Sequence, residues 1–129
     1  MPSFISPLLR SPVAGFRLLN TRTDTSVADV LLTAFDSASR MTGLLRHRSL
    51  PSGSALIIAP TSSIHTCFMK FSLDVVFVTK DGRVVKTCVN LPPWRLAAAF
   101  RAHAVIEMTA GALAGSGTRA GDRLMVVGR

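Results

Sequence analysis

The chain has 129 residues, of which 48% are hydrophobic, and this excludes an intrinsically disordered protein and predicts one domain with a real core. The net charge of +8 would suit an anionic partner, but most arginines are scattered, so we interpret the excess as an ordinary basic surface. The longest apolar runs, residues 55–59 and 96–100, are too short to span a bilayer, so no transmembrane segment is expected.

The first fifteen residues lack the pattern of a secretion signal. No basic segment precedes the apolar residues, and Pro2, Pro7 and Pro12 interrupt them. We therefore expect residues 1–15 to form a flexible N-terminal arm, residues 16–129 to form a single β-rich domain, and the protein to be cytoplasmic.

Short segments rich in β-branched and aromatic residues dominate the rest of the chain. This pattern predicts strands, in chain order, at residues 16–20, 30–33, 55–59, 73–78, 84–89, 104–109 and 123–127. A helix is expected near residues 37–45, because Asp36 and Ser37 can cap its first turn. Residues 96–101 suit a helical turn or a loop, and residues 110–117 a short helix or a loop. The fold class is mainly β, with a minor α+β component, as one compact β-sandwich or barrel-like domain.

The clearest turn lies between the two central strands. Asp81 and Gly82 form a strong signal for a type I′ hairpin, which needs positive φ at both positions. A two-residue loop predicts these opposed pairs: Thr79 with Val84, Val78 with Val85, and Val75 with Cys88.

Two carboxylates stand inside apolar strand patterns, Asp74 and Glu107. A buried carboxylate must be paired or hydrogen-bonded. If the two meet, a paired-carboxylate site is conceivable. Otherwise each accepts hydrogen bonds from backbone amides, or from Arg or Lys.

His65, Cys67 and Met69 would share one face if the chain is extended there. Imidazole, thiol and thioether groups suit a soft metal such as Cu(I), so a soft-metal protein or an enzyme built around these residues and Asp74 is one alternative. The other is that Cys67 and Met69 pack in the core. We expect no cofactor, no complete catalytic set and, in the cytoplasm, free cysteines.

Trp94, in the Pro-Pro-Trp-Arg segment, is a large amphipathic residue outside any strand pattern, and it either covers a ligand groove or caps the domain. Tyrosine is absent and no strand interleaves aromatic with basic residues, so there is no clear nucleic-acid motif. Arg46 and Arg48 are close together in sequence. A further alternative is therefore a module that binds an anionic surface, either nucleic acid or membrane. The candidate ligand-binding residues are His65, Met69, Asp74, Trp94 and Glu107.

Several motifs occur in a characteristic order. Residues 43–51 resemble the pattern G-L-M-x-R-x-x-L, and residues 64–82 resemble I-H-T-x-x-M-R-F-P-I-D-V-x-F-L-D-x-D-G. Both patterns belong to a bacterial family catalogued as domain of unknown function number 192. Later landmarks also match: Pro92, Trp94, Arg95, Glu107, Ala110, Gly111, Gly121 and Asp122. Ser72, Lys70 and Ala55 depart from the usual proline, arginine and methionine.

The resemblance implies a compact β-sandwich or barrel-like domain with a short helix, and it implies no known reaction. Some relatives carry signal peptides or membrane anchors, and some are associated with pilus-assembly or secretion loci. We therefore expect a small binding or accessory domain, non-enzymatic, whose partner is a small ligand or a protein. A link to cell-envelope, pilus or secretion machinery is a hypothesis from the resemblance.

Overall fold

A computed structural model describes residues 3–10, 15–36 and 50–129. Strands dominate these residues, with two short helices, so the predicted mainly β class is confirmed. The elements, in chain order, are α1 (Ser6–Arg10), β1 (Phe16–Asn20), β2 (Thr25–Ala28), β3 (Val30–Ala34), β4 (Ser54–Ile58), β5 (Ser63–His65), β6 (Leu73–Val78), β7 (Val84–Leu91), β8 (Leu96–Ala98), β9 (Ala104–Thr109), α2 (Ala112–Ser116) and β10 (Leu124–Gly128). The helix expected near residues 37–45 lies outside the described residues.

A five-stranded sheet in the order β3-β4-β9-β6-β7 forms the centre of the fold. β3 and β4 run parallel, whereas the other neighbours are antiparallel. Every residue of β4 and of β6 is buried. A strand that is covered on both faces loses the alternation of apolar and polar residues, which explains the continuous apolar runs in the sequence.

Smaller sheets cover the two faces of the central sheet. On one face, Val76 and Ile106 belong to a core cluster with Leu18 and Leu124 from the sheet β10-β1-β2. On the other face, residues such as Phe77 pack with members of the β5-β8 pair. The described residues therefore form stacked sheets, and none of these sheets closes into a barrel, so the barrel alternative is not supported.

The N-terminal segment contains a helix that packs on the core. Ile5 and Leu8 are buried with the first cluster, and the Phe4 amide donates to the Lys80 carbonyl oxygen at 2.9 Å. The sequence led us to expect a flexible arm there. The separation into an arm of residues 1–15 and a domain of residues 16–129 stays a prediction.

The central hairpin differs from the predicted one near its turn. Val75 does face Cys88, but Val78 faces Val84 rather than Val85, because the register shifts between Phe77 and Val78. The type I′ assignment is wrong, since Gly82 has a φ of 88° whereas Asp81 does not have a positive φ. The Asp81 carboxylate instead accepts hydrogen bonds from Thr79 and Arg123. The turn is therefore shaped by a local bond from Thr79 and by a bond from Arg123, which is distant in sequence.

Three short strands, β2, β5 and β8, were not among the predicted ones. Residues 96–101 suggested a helical turn or a loop, yet β8 pairs antiparallel with β5, with Ile64 opposite Ala97. The alanine-rich run has little intrinsic strand preference, so the burial of Ala97 decides its conformation. β2 pairs antiparallel with β1, and it ends just before the strand that was expected at residues 30–33.

Candidate functional site

One buried threonine joins two segments that are far apart in sequence. Thr66 donates its amide hydrogen to the Arg95 carbonyl oxygen at 2.8 Å, and its hydroxyl donates to the Pro92 carbonyl oxygen at 2.6 Å. The same hydroxyl oxygen accepts from the Arg95 amide at 2.9 Å, and the Thr66 carbonyl oxygen accepts from the Trp94 amide at 3.0 Å. Every polar group of Thr66 is therefore used to hold the Pro92–Arg95 segment.

This clamp supports two aromatic residues in an uncommon backbone conformation. Phe68 and Trp94 each have a φ of 66°, a value that bulky side chains rarely adopt and that costs about 1–3 kcal/mol per residue. Their ring centroids lie 4.6 Å apart with an interplanar angle of 59°. Such strain persists only where the surroundings impose it, and here the bonds of Thr66 do so.

Both rings face solvent, and two more exposed apolar residues follow Trp94 along the chain. Phe68 is 68% exposed, Trp94 59%, Leu96 82% and Phe100 93%. Leu96 is on the outer face of β8 because its neighbour Ala97 points into the core, and Phe100 follows directly after that strand. We call these four residues the aromatic ridge. Large apolar side chains exposed in this way mark a candidate interaction site.

The two segments that carry the aromatic ridge contain basic residues and no acidic ones. Lys70, Arg95 and Arg101 are exposed, and residues 63–70 and 92–101 contain no carboxylate. His65 is exposed as well and lies opposite Leu96 in the β5-β8 pair. The ridge therefore combines apolar side chains with a cationic margin.

The Asp74 carboxylate is fully buried and binds backbone amides. One oxygen accepts from Asn90 at 2.8 Å, and the other accepts from Gly111 at 3.1 Å and from Leu113 at 2.9 Å. This residue ties β6 to the end of β7 and to the first turn of α2. The sequence analysis left two alternatives for this carboxylate, a paired site with Glu107 or hydrogen bonds from other groups. The bonds of Asp74 match the second alternative, because all three come from backbone amides.

Glu107 does not meet Asp74. In the register of the sheet Glu107 lies opposite Val75, whereas Asp74 lies opposite Met108, so the two carboxylates point to opposite faces of the sheet. Glu107 is only 5% exposed, and this burial raises its pKa from the ordinary 4.5 to about 7. The structure thus separates the two carboxylates that the sequence singled out.

His65, Cys67 and Met69 do not share a face, because β5 ends at His65. A turn follows, in which the Met69 amide donates to the Thr66 carbonyl oxygen at 3.1 Å. His65 is exposed, Cys67 is half-buried and Met69 is buried in the core. Both cysteines are free, and within the described ranges no three His, Cys, Asp or Glu side chains are placed to hold a metal.

A cavity of 380 Å³ lies beside α2. Its lining consists of small residues without titratable side chains: Ser26, Val27, Ser52, Gly53, Thr109, Ala110, Gly111, Ala112, Gly115 and Ser116. Such a lining can offer hydrogen bonds to a ligand, but none of its side chains is an acid or a base that could activate its hydroxyl groups.

Of the predicted site residues, only His65 and Trp94 lie at the ridge. Phe68, Leu96, Phe100 and Thr66 were missed. Phe68 and Trp94 are separated by 25 residues, so no local pattern shows that their rings touch. One signal for the ridge was available in the sequence, because Phe100 is a large apolar residue at the end of a run of alanines.

Comparison with known proteins places this layered β fold in a family. Residues 19–126 match the model of DUF192, described as an uncharacterized ACR, and the chain belongs to that family. The description names no activity. A search of curated proteins gave no match.

Two solved structures are similar to the chain. A candidate transcription regulator from Sinorhizobium meliloti 1021 has a TM-score of 0.75 and 21% identity, covering 86% of this chain and 91% of its own. A protein of unknown function from Novosphingobium aromaticivorans DSM 12444 has a TM-score of 0.70 and 24% identity, covering 88% and 89%. At these identities, the likeness shows the fold alone.

Proposed function

We propose that the protein is a small non-enzymatic binding domain whose aromatic ridge contacts a partner. The observation that carries this proposal is the Phe68–Trp94 pair, exposed and in contact, with both residues at a φ of 66°. A fold that only needed to close its surface would gain nothing from holding two rings in this conformation. Backbone strain of this kind is typical of functional sites.

The physical basis of binding is the burial of the ridge. Removing apolar surface from water contributes about 25 cal/mol per Å², and aromatic side chains carry much of the binding energy at protein surfaces. The bonds of Thr66 fix the ridge before a partner arrives, so less conformational entropy is lost on binding.

The geometry gives weaker support to an enzyme or a soft-metal protein. The oxygens of Asp74 already accept three backbone hydrogen bonds, and His65 and Met69 point to different environments. The partner in this proposal is a protein or a small ligand, as the sequence analysis also expects. An accessory role in cell-envelope, pilus or secretion machinery, and a cytoplasmic location, stay predictions. No helix in the described part of the chain is long and apolar enough to cross a membrane.

Site-specific photocrosslinking in living cells tests the proposal without assuming the partner. A photoreactive phenylalanine analogue is introduced at Leu96, and in a matched control at Met125, which is 46% exposed on β10. We expect a discrete crosslinked product, protein or lipid, at Leu96 that is lost when Trp94→Ala is added. Identical products at Leu96 and Met125, or a Leu96 product that ignores Trp94, would contradict the proposal.

A further inference from the structure

We propose that the partner of the aromatic ridge is a membrane surface that contains anionic lipids. This inference rests on the proposed function and names the class of partner for the same surface. The aromatic ridge would enter the boundary between headgroups and acyl chains, and its cationic margin would contact the lipid phosphates.

The apolar composition of the ridge favours lipid over nucleic acid. Leu96 and Phe100 are the most exposed members, and Leu96 has no π face on which a base can stack. The rings of Phe68 and Trp94 contact each other, which leaves fewer free faces for stacking. A tryptophan with neighbouring Phe and Leu residues is the composition that enters the membrane interface.

The charge beside the ridge is complementary to an anionic bilayer. Lys70, Arg95 and Arg101 are exposed and lie in the two segments that carry the ridge, and neither segment contains a carboxylate. Each cation near such a surface strengthens binding by about fivefold at moderate salt. The chain as a whole carries +8, so long-range attraction acts in the same direction.

The backbone under the ridge is held firmly enough for a peripheral contact of this size. Thr66 joins the turn that carries Phe68 to the segment that carries Trp94, and Ile64 and Ala97 anchor the β5-β8 pair in the core. The side chains can thus enter the interface together, without a new segment having to fold.

Vesicle partitioning of the full chain provides the test. Trp94 is the sole tryptophan, so its fluorescence reports on the ridge directly. With vesicles of equal parts phosphatidylglycerol and phosphatidylcholine we expect a blue shift and co-sedimentation, both weakened by salt. Vesicles of phosphatidylcholine alone should bind much less.

Three variants separate the apolar from the charged contribution. Leu96→Ser combined with Phe100→Ser keeps Trp94 as a reporter and should lower the partition coefficient by at least about tenfold. Lys70→Gln with Arg95→Gln should lower it by at least about tenfold and reduce the salt dependence. Met125→Ser, on β10, should leave it unchanged. Circular dichroism and thermal unfolding confirm that each variant is folded.

The outcomes distinguish the membrane partner from other partners. Absence of binding to anionic vesicles, or binding that survives Leu96→Ser with Phe100→Ser, would overturn the inference. So would Trp94 quenching by a single-stranded oligonucleotide at concentrations where vesicles have no effect, or a dimer that buries Trp94. If the protein does not bind vesicles but Leu96 still crosslinks to a protein, the binding function is supported and the membrane partner is ruled out. If neither vesicle binding nor crosslinking is observed, both proposals are wrong.

Discussion

The carbonyl oxygen of Thr66 accepts the amide hydrogen of Trp94 at 3.0 Å, across 27 intervening residues of sequence. Thr66 is 1% exposed, whereas Trp94 is 59% exposed. A buried polar residue therefore positions an exposed aromatic one. This relationship connects the core of the protein to the surface that we propose as its binding site.

Replacing Thr66 should weaken both stability and the ridge. Thr66→Val keeps the shape but leaves the Pro92 carbonyl oxygen and the Arg95 amide without their bonds to the hydroxyl. We expect the free energy of unfolding to fall by about 1–3 kcal/mol. Denaturant unfolding followed by Trp94 fluorescence measures this change.

Thr66→Ser is the control, because it retains the hydroxyl. Its free energy of unfolding should be much closer to that of the wild type than the value for Thr66→Val. Equal stability of the valine and serine variants would show that the hydroxyl does not hold the segment.

Removing Asp74 should be more damaging. Asp74→Ala leaves the amides of Asn90, Gly111 and Leu113 without their acceptor, and the expected loss of stability is at least about 3 kcal/mol. Chemical denaturation of the variant gives the value. The exposed Asp29, whose carboxylate accepts a hydrogen bond from Ser26, supplies a matched control, since Asp29→Ala should cost less than about 1 kcal/mol. Similar losses for both variants would refute the structural role of Asp74.

Glu107 should make stability depend on pH. Its pKa in the folded state is about 7, above the ordinary value near 4.5, so folding favours the protonated acid. Stability is then highest below the unfolded pKa, and it decreases by about 3 kcal/mol as pH rises through the folded pKa. Urea unfolding at about pH 5 and about pH 8 should show this decrease in the wild type.

Glu107→Gln should remove most of that decrease. Asp122 has a pKa well below its usual range, chiefly because Arg22 donates to its carboxylate, so its contribution is lost only in stronger acid. Burial lowers the pKa of His103, and this effect cancels when wild type and variant are compared at each pH. An unchanged pH profile in the glutamine variant would argue against an ionisable Glu107 in the core.

Gly82 should be essential to the hairpin. A Cβ atom there would meet the Leu124 carbonyl oxygen at 2.3 Å, and φ is 88°. Gly82→Ala should therefore lower stability by more than about 2 kcal/mol. At Gly53, where φ is 84° and nothing lies within 4 Å of the added atom, Gly53→Ala should cost only about 1 kcal/mol. Thermal unfolding of both variants gives the comparison, and equal losses would show that the approach to Leu124 is unimportant.

The parts of the fold that local sequence determines were predictable. The strand at Leu73–Val78 follows from its β-branched and aromatic run. The predicted pairing of Val75 with Cys88 is present, but it depends on the register shift between Phe77 and Val78, which the sequence did not indicate. The detail at the turn was not predictable, because Asp81 bonds not only to its neighbour Thr79 but also to Arg123, which lies just before β10 and is distant in sequence.

The site was harder to predict, because it forms by contact between distant segments. Trp94 was recognised as an amphipathic residue in an irregular segment, but its partner Phe68 was not singled out, because the segment around it was considered only as an extended chain, whereas β5 ends at His65. The expected row of His65, Cys67 and Met69 failed for the same reason. A turn imposed by Thr66 cannot be inferred from alternation alone, since alternation assumes an extended chain.

Oxidative footprinting of the ridge inside cells tests the central claim most directly. The rate of hydroxyl-radical modification of Trp94 is measured relative to Met125 in the same molecule, in intact cells and in the purified protein. If the ridge binds a partner, Trp94 should be protected in cells while Met125 is not. An unchanged ratio between the two conditions would show that the ridge is uncovered where the protein works, and would contradict the account.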